Sequence, residues 1–346
     1  MPSATPASAA SAPDIDSFRY LNPNKDRRVA IITGGNSGIG FFTVLHLYLH
    51  GYIIYIAGRT KFQFSKLGKE LHLKAMQIRQ QYQPQELLQE RYLGELNYLE
   101  LDMTNLQSII RAVESFKYRE DYLHLLINNA EVIALPYTLT QDNFDIQLQT
   151  DFIAPFLLTM KLLPILERTS DEFPDIENPR VIYLSSTGHR FAIKSFNLSS
   201  PMNYRLDFIF TWLRYGIAKT AGIHFMKMLS LRNPKILFLC IHPGFAMNTD
   251  LFTFWTSLPI IGVLFWCFFK TFAWFLGITS EQGATKVLRT SLNPNLTVEE
   301  NNGKYYDSQG REAQPSRVAS NMDYAARTWI WTIRELNERG IKLHEV

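Results

Sequence analysis

The chain contains six short apolar runs, each four to six residues long, separated by longer stretches of helical or polar character. They are Val29–Ile32, Tyr52–Ala57, Leu96–Leu101, Leu123–Ile127, Val181–Leu184 and Ile236–Ile241. Because strands that are buried on both faces are continuously apolar, this alternation is typical of a parallel sheet covered on both sides. The pattern therefore predicts an α/β fold with one doubly wound parallel sheet and helices on both faces.

The same pattern predicts one domain over residues 26–336, with no internal linker to divide it. Residues 1–25 are predicted to be a disordered tail, because most of them are small, Pro-rich and uncharged and lack the apolar stretch of a secretory signal. Residues 337–346 are predicted to be a second tail. The polar stretch Lys61–Tyr98 is long for one crossover and predicts a helix followed by a second helix or an exposed insertion.

Composition narrows the class of protein. Apolar residues make up 46% of the 346, which excludes a disordered or fibrous chain. The formal net charge of +3 is too small to predict nucleic-acid binding. The only cysteines, Cys240 and Cys267, exclude a disulfide framework. His46 and His50 share a predicted helix, but without an acidic partner motif they predict no metal site.

The segment Thr33–Gly40, called the phosphate loop below, follows the first apolar run and opens a helix. Gly34 permits a tight turn, Gly38 lets the backbone approach a pyrophosphate, and Gly40 lets the helix pack against the strand. The helix N-terminus then faces the phosphates with free N–H groups and a positive dipole end. This order of strand, loop and helix predicts a dinucleotide site. Its predicted residues are Thr33, Gly34, Asn36, Ser37, Gly38, Ile39 and Gly40.

Two residues at strand ends are candidates for the adenosine part of that dinucleotide. Arg59 follows the second apolar run, where an acidic residue would accept the ribose 2′-hydroxyl of NAD. A guanidinium suits a 2′-phosphate instead, so the sequence favours NADP(H), with a surface arginine as the alternative. Asp102 ends the third run and is predicted to accept a hydrogen bond from adenine, to cap a helix, or both.

Tyr215 and Lys219 are four residues apart and share one face of a predicted helix. A free phenol has a pKa near ~10, and a nearby cation favours the phenolate. The pair therefore predicts a proton-transfer group in which Lys219 lowers the pKa of Tyr215. Ser186 ends the fifth run, at the sheet edge where parallel sheets bind ligands, and its hydroxyl is predicted to hold the substrate oxygen.

These motifs, in this order, resemble the short-chain dehydrogenase/reductase family over roughly residues 28–336, and especially its retinol dehydrogenase-like branch. The resemblance implies a Rossmann-like fold and hydride transfer with Tyr215 as general acid/base. It also implies that Lys219 holds the nicotinamide ribose and that Ser186 orients the carbonyl. Members of the family are often dimers, which leaves a homodimer as an open expectation. The cofactor-site residues that the resemblance adds are Asn129, Pro243, Gly244 and Thr249.

Two positions depart from the family's pattern. Asp151 stands where the family has an asparagine that supports a water relay to the lysine, and it is expected to accept a hydrogen bond from Lys219 or from water. Glu131 replaces the glycine of the family's Asn-Asn-Ala-Gly. The turn after the Pro-Gly pair is also longer than usual, so Asn248 is the alternative to Thr249 as the carboxamide contact.

Residues 251–278, called the apolar segment below, include the charge-free run 258–269. Because the segment also contains Pro259, Gly262 and Lys270, shallow or re-entrant insertion into a membrane face is favoured over a span of about 20 residues. A lid over a lipophilic substrate is the compatible alternative. With the resemblance, the segment predicts a location on lipid droplets or the cytosolic face of the endoplasmic reticulum.

The sequence thus predicts an NADP(H)-dependent alcohol dehydrogenase or carbonyl reductase that acts on lipophilic alcohols or carbonyls at a membrane or lipid-droplet surface. Retinal-like aldehydes, steroids and lipid ketones all fit this class. The alternative is a cofactor-binding, weakly catalytic scaffold or regulator on lipid droplets, which Asp151 and Glu131 motivate. A nucleotide-sugar epimerase shares the Tyr/Lys pair, but the glycine spacing and the apolar segment argue against it.

Overall fold

The computed structural model describes residues 14–174, 178–193, 196–199, 207–246, 256 and 277–343, and every structural statement below concerns these residues. The long strands are Val29–Thr33 (β1), Ile53–Gly58 (β2), Glu95–Glu100 (β3), Leu125–Asn128 (β4), Arg180–Leu184 (β5) and Leu237–Ile241 (β6). The two-residue strands are Phe245–Ala246 (β7), Gly277–Ile278 (β8), Tyr305–Tyr306 (β9) and Glu312–Ala313 (β10). Each predicted apolar run contributes one long strand, displaced by at most two residues at either end.

The central sheet has the order β10-β9-β6-β5-β4-β1-β2-β3, and β7 and β8 form a separate pair. All pairings from β3 to β9 are parallel, and β10 alone pairs antiparallel with β9. The predicted doubly wound parallel sheet is therefore confirmed. The antiparallel edge was not predicted, because a two-residue strand is too short to carry a periodic pattern.

The helices cover both faces of the sheet. They are Gly38–Leu49 (α1), Lys61–Arg79 (α2), Pro84–Gln89 (α3), Leu106–Arg119 (α4), Ile146–Leu148 (α5), Ala154–Glu172 (α6), Asp207–Arg232 (α7), Ser280–Leu292 (α8), Val298–Asn301 (α9) and Met322–Glu338 (α10). Helices α1, α2 and α8 pack on one face, and α4, α6, α7 and α10 pack on the other. Of the two alternatives for residues 61–98, a second helix or an exposed insertion after the first helix, the structure forms the second helix, α3, after α2.

Strand β1 shows why the apolar runs are continuous. Successive strand residues point to opposite faces of a sheet. Ala30 and Ile32 lie in the core beneath α1, whereas Val29 and Ile31 lie in the core beneath α4 and α6. All four side chains are at most 1% exposed, so neither face of the strand tolerates a polar residue.

The ends of the domain differ from the predicted tails. Ile15, Phe18 and Leu21 are buried, and the first two belong to the core on the α1 face. Ile341 is buried in the core on the opposite face. The prediction of a tail over residues 1–25 is therefore wrong for residues 14–25, because three spaced apolar side chains anchor them. Residues 1–13 lie outside the described part of the chain.

Among the described residues, one helical stretch, Ile146–Glu172, has the length and mean hydropathy of a bilayer span. Its apolar window is 83% buried within the protein, where it packs against α4 and α7. This burial accounts for its composition. The predicted apolar segment lies outside the described residues except for Thr256, Gly277 and Ile278, so its expected insertion stays a prediction.

Candidate active site

The carboxyl ends of the parallel strands border a cleft of about 1260 Å³. The predicted residues that line it are Gly34, Asn36, Ser37, Gly38, Ile39, Gly40, Arg59, Asp102, Asn129, Ser186, Tyr215, Pro243 and Gly244. Three further predicted residues, Thr33, Asp151 and Lys219, are buried behind this lining. Thr249 and its alternative Asn248 lie outside the described residues. The cleft therefore brings the two predicted halves of the site, nucleotide binding and proton transfer, into one cavity.

The phosphate loop has the backbone that its glycines predict. Gly34 and Gly38 have φ angles of +64° and +56°, in the left-handed region that favours glycine. A Cβ on Gly40 would lie 2.2 Å from the carbonyl oxygen of Gly34, so this close approach of helix and loop requires glycine. The N-terminus of α1 opens on the cleft, and Ser37, its N-cap residue, makes no side-chain capping bond. This cradle fits a pyrophosphate, which would accept hydrogen bonds from the N–H groups there.

Asn129 and Thr33 hold the phosphate loop in place from below. The Asn129 side-chain amide donates to the carbonyl oxygens of Thr33 at 2.9 Å and Gly34 at 3.0 Å. The Thr33 hydroxyl accepts from the backbone N–H groups of Asn129 at 3.0 Å and Ala130 at 2.9 Å. These four bonds tie the end of β4 to the end of β1. Both side chains therefore stabilise the conformation of the loop through hydrogen bonds to the backbone.

The adenosine end of the cleft contains Arg59 and Asp102. Arg59 is exposed at the end of β2 and reaches the cleft lining. One carboxylate oxygen of Asp102 accepts from the backbone N–H of Thr104 at 2.9 Å and from its hydroxyl at 2.7 Å. The N-cap of α4 is Asn105, whose side chain accepts from Ser108. The helix-capping alternative for Asp102 is therefore wrong, and Asp102 closes the preceding turn instead.

The predicted proton-transfer residues lie together at the other end. Tyr215 and Lys219 both lie on α7, and the Lys219 ammonium donates to the carbonyl oxygen of Leu184 at 3.0 Å. The hydroxyl of Ser186 accepts from the backbone N–H of Gly188 at 3.1 Å and is hydrogen-bonded to the Tyr215 phenol. A Cβ on Gly188 would lie 2.4 Å from the Tyr215 ring. Glycine at this position therefore lets the phenol reach the turn that carries Ser186.

Glu131 joins this group, although its role was not predicted. Its Oε2 atom lies 2.6 Å from Lys219 Nζ and 3.4 Å from the Tyr215 hydroxyl. The Lys219 side chain is 1% exposed and that of Glu131 is 22% exposed. Its position in the sequence could have indicated this role. Glu131 closely follows Asn129 at the carboxyl end of β4, which pairs with β5, so it lies near the residues that follow β5.

Asp151 lies in a π-helical turn, Gln149–Ile153, between α5 and α6. Its Oδ1 atom accepts from the backbone N–H of Val132 at 2.8 Å, and its carbonyl oxygen accepts from the Tyr183 hydroxyl at 2.6 Å. The expected hydrogen bond from Lys219 is not formed, since that ammonium pairs with Glu131. Burial raises the pKa of Asp151 well above its usual range, which favours the uncharged form of this carboxyl.

The pKa of Tyr215 also differs from the prediction. The sequence predicted that Lys219 lowers it, but burial raises the pKa of this phenol well above its usual range, with a further contribution from the charge of Glu131. The physical reason is that a buried phenolate loses its hydration, and the nearby carboxyl groups of Glu131 and Asp151 oppose its charge further. In this structure Tyr215 therefore holds its proton.

Beyond Ser186 and Tyr215 the wall of the cleft is largely apolar. Phe191 and Trp212 form an edge-to-face pair with ring centroids 6.1 Å apart. Phe191 is 47% exposed, although it is a large apolar side chain. The other apolar side chains at this end are Val132, Ile133, Leu135, Leu213 and Phe245.

Comparisons with known proteins agree with this geometry. Residues 28–190 match the family model described as short chain dehydrogenase. The chain is 32% identical over 335 residues to the short-chain dehydrogenase/reductase drtF of Aspergillus calidoustus, covering 93% of this chain and 98% of that protein. It is 27% identical over 314 residues to the polyprenol dehydrogenase of Homo sapiens, covering 89% and 84%. Its fold resembles that of the NADPH-bound carbonyl reductase from chicken fatty liver, with a TM-score of 0.54, 22% identity, and coverage of 83% of this chain and 98% of that one.

Proposed function

The chain belongs to the short-chain dehydrogenase/reductase family, and on that premise we propose that it is an NADP(H)-dependent oxidoreductase of lipophilic carbonyls and alcohols. Family membership makes it an oxidoreductase that binds a nicotinamide cofactor. One observation carries the more specific proposal: a single cleft joins the phosphate loop to Tyr215 and Ser186 and ends in an apolar wall. Such a cavity suits a bound dinucleotide beside a carbonyl on an apolar chain.

The residues of the cleft fit this cofactor. In this proposal the phosphate loop would supply backbone N–H groups to the pyrophosphate and Arg59 would meet a 2′-phosphate. The family resemblance assigns the nicotinamide ribose to Lys219, which is buried behind the cleft lining. When bound, the nicotinamide supplies or receives the hydride at the carbonyl carbon. Pro243 and Gly244, at the end of β6, border the same part of the cleft.

The chain's own chemistry is the movement of one proton. In carbonyl reduction Ser186 donates a hydrogen bond that orients the carbonyl oxygen, and Tyr215 gives its phenolic proton to that oxygen as the alcohol forms. In alcohol oxidation the phenolate of Tyr215 takes the proton back. Because Tyr215 is only 2% exposed, little water competes for its proton.

Replacing Arg59 with alanine is expected to weaken NADPH binding by roughly 10- to 100-fold, since a hydrogen bond to a charged group contributes about 1.5–3 kcal/mol. NADH, which has no 2′-phosphate, should bind the variant as well as it binds the wild-type protein. Titration of protein fluorescence with each coenzyme measures both affinities. The exposed Arg311, which pairs with Asp307 outside the cleft, provides the matched control as Arg311→Ala. Equal losses for both coenzymes would contradict the assignment of Arg59 to the 2′-phosphate.

The apolar wall supports a lipophilic substrate. The human relative is named as a dehydrogenase of polyprenol, a long apolar alcohol, which agrees in chemical class with a cleft bordered by Phe191 and Trp212. The apolar segment would then let the protein meet such a substrate at a membrane or lipid-droplet surface. This location rests on the sequence of the segment alone.

One experiment tests the substrate class and the location together. The protein is mixed with phospholipid vesicles that contain a long-chain isoprenoid aldehyde, the vesicles are floated on a density gradient, and NADPH oxidation is measured in each fraction. We expect protein and turnover in the floated fraction, and much weaker turnover with a small water-soluble aldehyde. Protein that stays at the bottom of the gradient contradicts the membrane location. Turnover of the small aldehyde alone contradicts the lipophilic substrate.

A cofactor-binding scaffold with little turnover is the second candidate. The ion pair between Glu131 and Lys219 is the observation in its favour, because it engages the lysine on which proton transfer depends. The two candidates differ in what the phenol of Tyr215 does, since a scaffold keeps its biological effect without it.

A further inference from the structure

The environment of Tyr215 contains a charge that the family's motifs do not supply. A single oxygen atom, Oε2 of Glu131, contacts both the Lys219 ammonium at 2.6 Å and the Tyr215 hydroxyl at 3.4 Å. The lysine is almost fully buried, so solvent screens this pair only weakly. Glu131 therefore acts on the phenol and on its cationic partner at once.

Asp151, the other acidic residue nearby, does not play this part. Its Oδ1 atom is engaged by the backbone N–H of Val132, and its Oδ2 atom is buried without a hydrogen-bond partner among the described residues. Burial raises its pKa well above the usual range, which favours the uncharged form, and it makes no ion pair with Lys219 in the described structure. The carboxylate that contacts both Lys219 and Tyr215 is that of Glu131.

The contacts of Lys219 leave room for its family role. An ammonium group has three N–H donors. In the described structure one donates to the carbonyl oxygen of Leu184 and one to Glu131. Glu131 therefore fixes the direction of the ammonium without consuming all its donors.

We propose that Glu131 is a positioning residue that completes a Tyr215–Lys219–Glu131 triad: its carboxylate fixes the lysine beside the phenol and sets the pH at which Tyr215 loses its proton. The inference rests on the proposed function, since it concerns the same proton-transfer group. It also explains the two departures from the family together. Asp151 keeps a side-chain acceptor at the asparagine position, and Glu131 supplies the carboxylate that contacts Lys219.

The sign of the effect follows from Coulomb's law. A carboxylate beside a phenol opposes formation of the phenolate, and it also offsets the favourable charge of the lysine. Removing the carboxylate should therefore lower the pH at which Tyr215 ionises. The titratable or polar side chains that act on the phenol from the surrounding elements are Glu131 after β4, Asp151 before α6, Tyr183 on β5, Ser186 after β5 and Lys219 on α7.

The test is a pH titration of cofactor-free, full-length protein with isotope-labelled tyrosine, followed by nuclear magnetic resonance. Comparison with Tyr215→Phe assigns the Tyr215 signal. In Glu131→Gln, which keeps the shape and an oxygen acceptor for Lys219, we expect the midpoint to fall by roughly one to three pH units. Glu131→Gly, which restores the family's residue, should shift it in the same direction. Asp151→Asn, at a residue that contacts neither Lys219 nor the phenol in the described structure, should shift the midpoint less than Glu131→Gln does.

Two results would overturn the proposal. One is a Tyr215 signal with the same pH dependence in the wild type and in both Glu131 variants. This result includes the case in which Tyr215 stays protonated in all three proteins at every pH at which they remain folded. The other is a midpoint that moves in Asp151→Asn but not in Glu131→Gln. Circular dichroism identifies any variant that fails to fold. Because neither coenzyme nor substrate is present, failure to find turnover would count against the proposed function alone.

Discussion

Tyr215→Phe is expected to reduce NADPH-dependent turnover by about 100- to 10,000-fold, the usual contribution of a general acid. The substitution removes only the hydroxyl that hydrogen bonds with Ser186 and lies near Glu131. The ring stays packed against Gly188, so the fold should survive. The measurement is the single-turnover rate at saturating NADPH, beside the dissociation constant of NADPH, which should change little.

A second buried tyrosine provides the control. Tyr306 is 6% exposed, its hydroxyl accepts from the Asn301 amide at 3.2 Å, and it does not line the cleft. Tyr306→Phe should therefore lose one hydrogen bond, worth about 1 kcal/mol of stability, while turnover is retained. Equal loss of turnover in both variants would show a general effect on folding. Full activity in Tyr215→Phe would refute its role as the acid and favour the scaffold alternative.

Gly40→Ala is expected to disable the phosphate loop. The added Cβ would lie 2.2 Å from the carbonyl oxygen of Gly34, 2.9 Å from its carbonyl carbon and 2.7 Å from the Asn129 amide nitrogen. Two of these atoms are backbone, so the loop itself must move. Overpacking of this kind costs about 1–3 kcal/mol of unfolding free energy. If the same strain falls on the binding conformation, NADPH affinity should drop roughly 10- to 100-fold. Denaturant unfolding and coenzyme titration measure the two effects.

The control for that substitution is another helical glycine. Gly68 lies within α2, and a Cβ there would meet no atom within 4 Å. Gly68→Ala should stabilise the protein by about 0.5–1 kcal/mol, since alanine is the better helix former, and leave NADPH affinity unchanged. If Gly40→Ala binds NADPH as the wild type does, the close contact between α1 and the loop is not needed for binding.

The sheet was predictable because its signal is local and repeated. Successive residues such as Ile31 and Ile32 face opposite sides of the sheet, and both are buried. Each long strand therefore appears in the sequence as an unbroken apolar run. The antiparallel strand β10 and the buried Ile15 and Phe18 could not be found in this way. Two strand residues, or a few anchoring side chains outside a regular element, gain their partners only from the tertiary fold.

The sequence predicted which residues form the site better than it predicted their ion pairs and pKa shifts. The phosphate loop, Ser186 and Tyr215 line one cleft because the carboxyl ends of parallel strands lie at the same edge of the sheet. Asp151 was expected to accept from Lys219 or from water, whereas the ion-pair partner of Lys219 is Glu131. Sequence spacing places both acids near the lysine, but Asp151 accepts from the Val132 N–H while Glu131 contacts the lysine, and these contacts are properties of the packed structure.

The bonds that tie Asn129 to the phosphate loop have an evolutionary consequence. Three residues that closely follow β4 each contact a different part of the site. Asn129 donates a hydrogen bond to the phosphate loop, Glu131 pairs with Lys219, and Val132 donates to Asp151 in the π-helical turn. Inserting or deleting one residue in this connection would break at least one of these three contacts. Substitutions such as glycine to glutamate at position 131 can alter the chemistry while every bond of the backbone stays in register. The three contacts therefore constrain the length of this connection more than its composition.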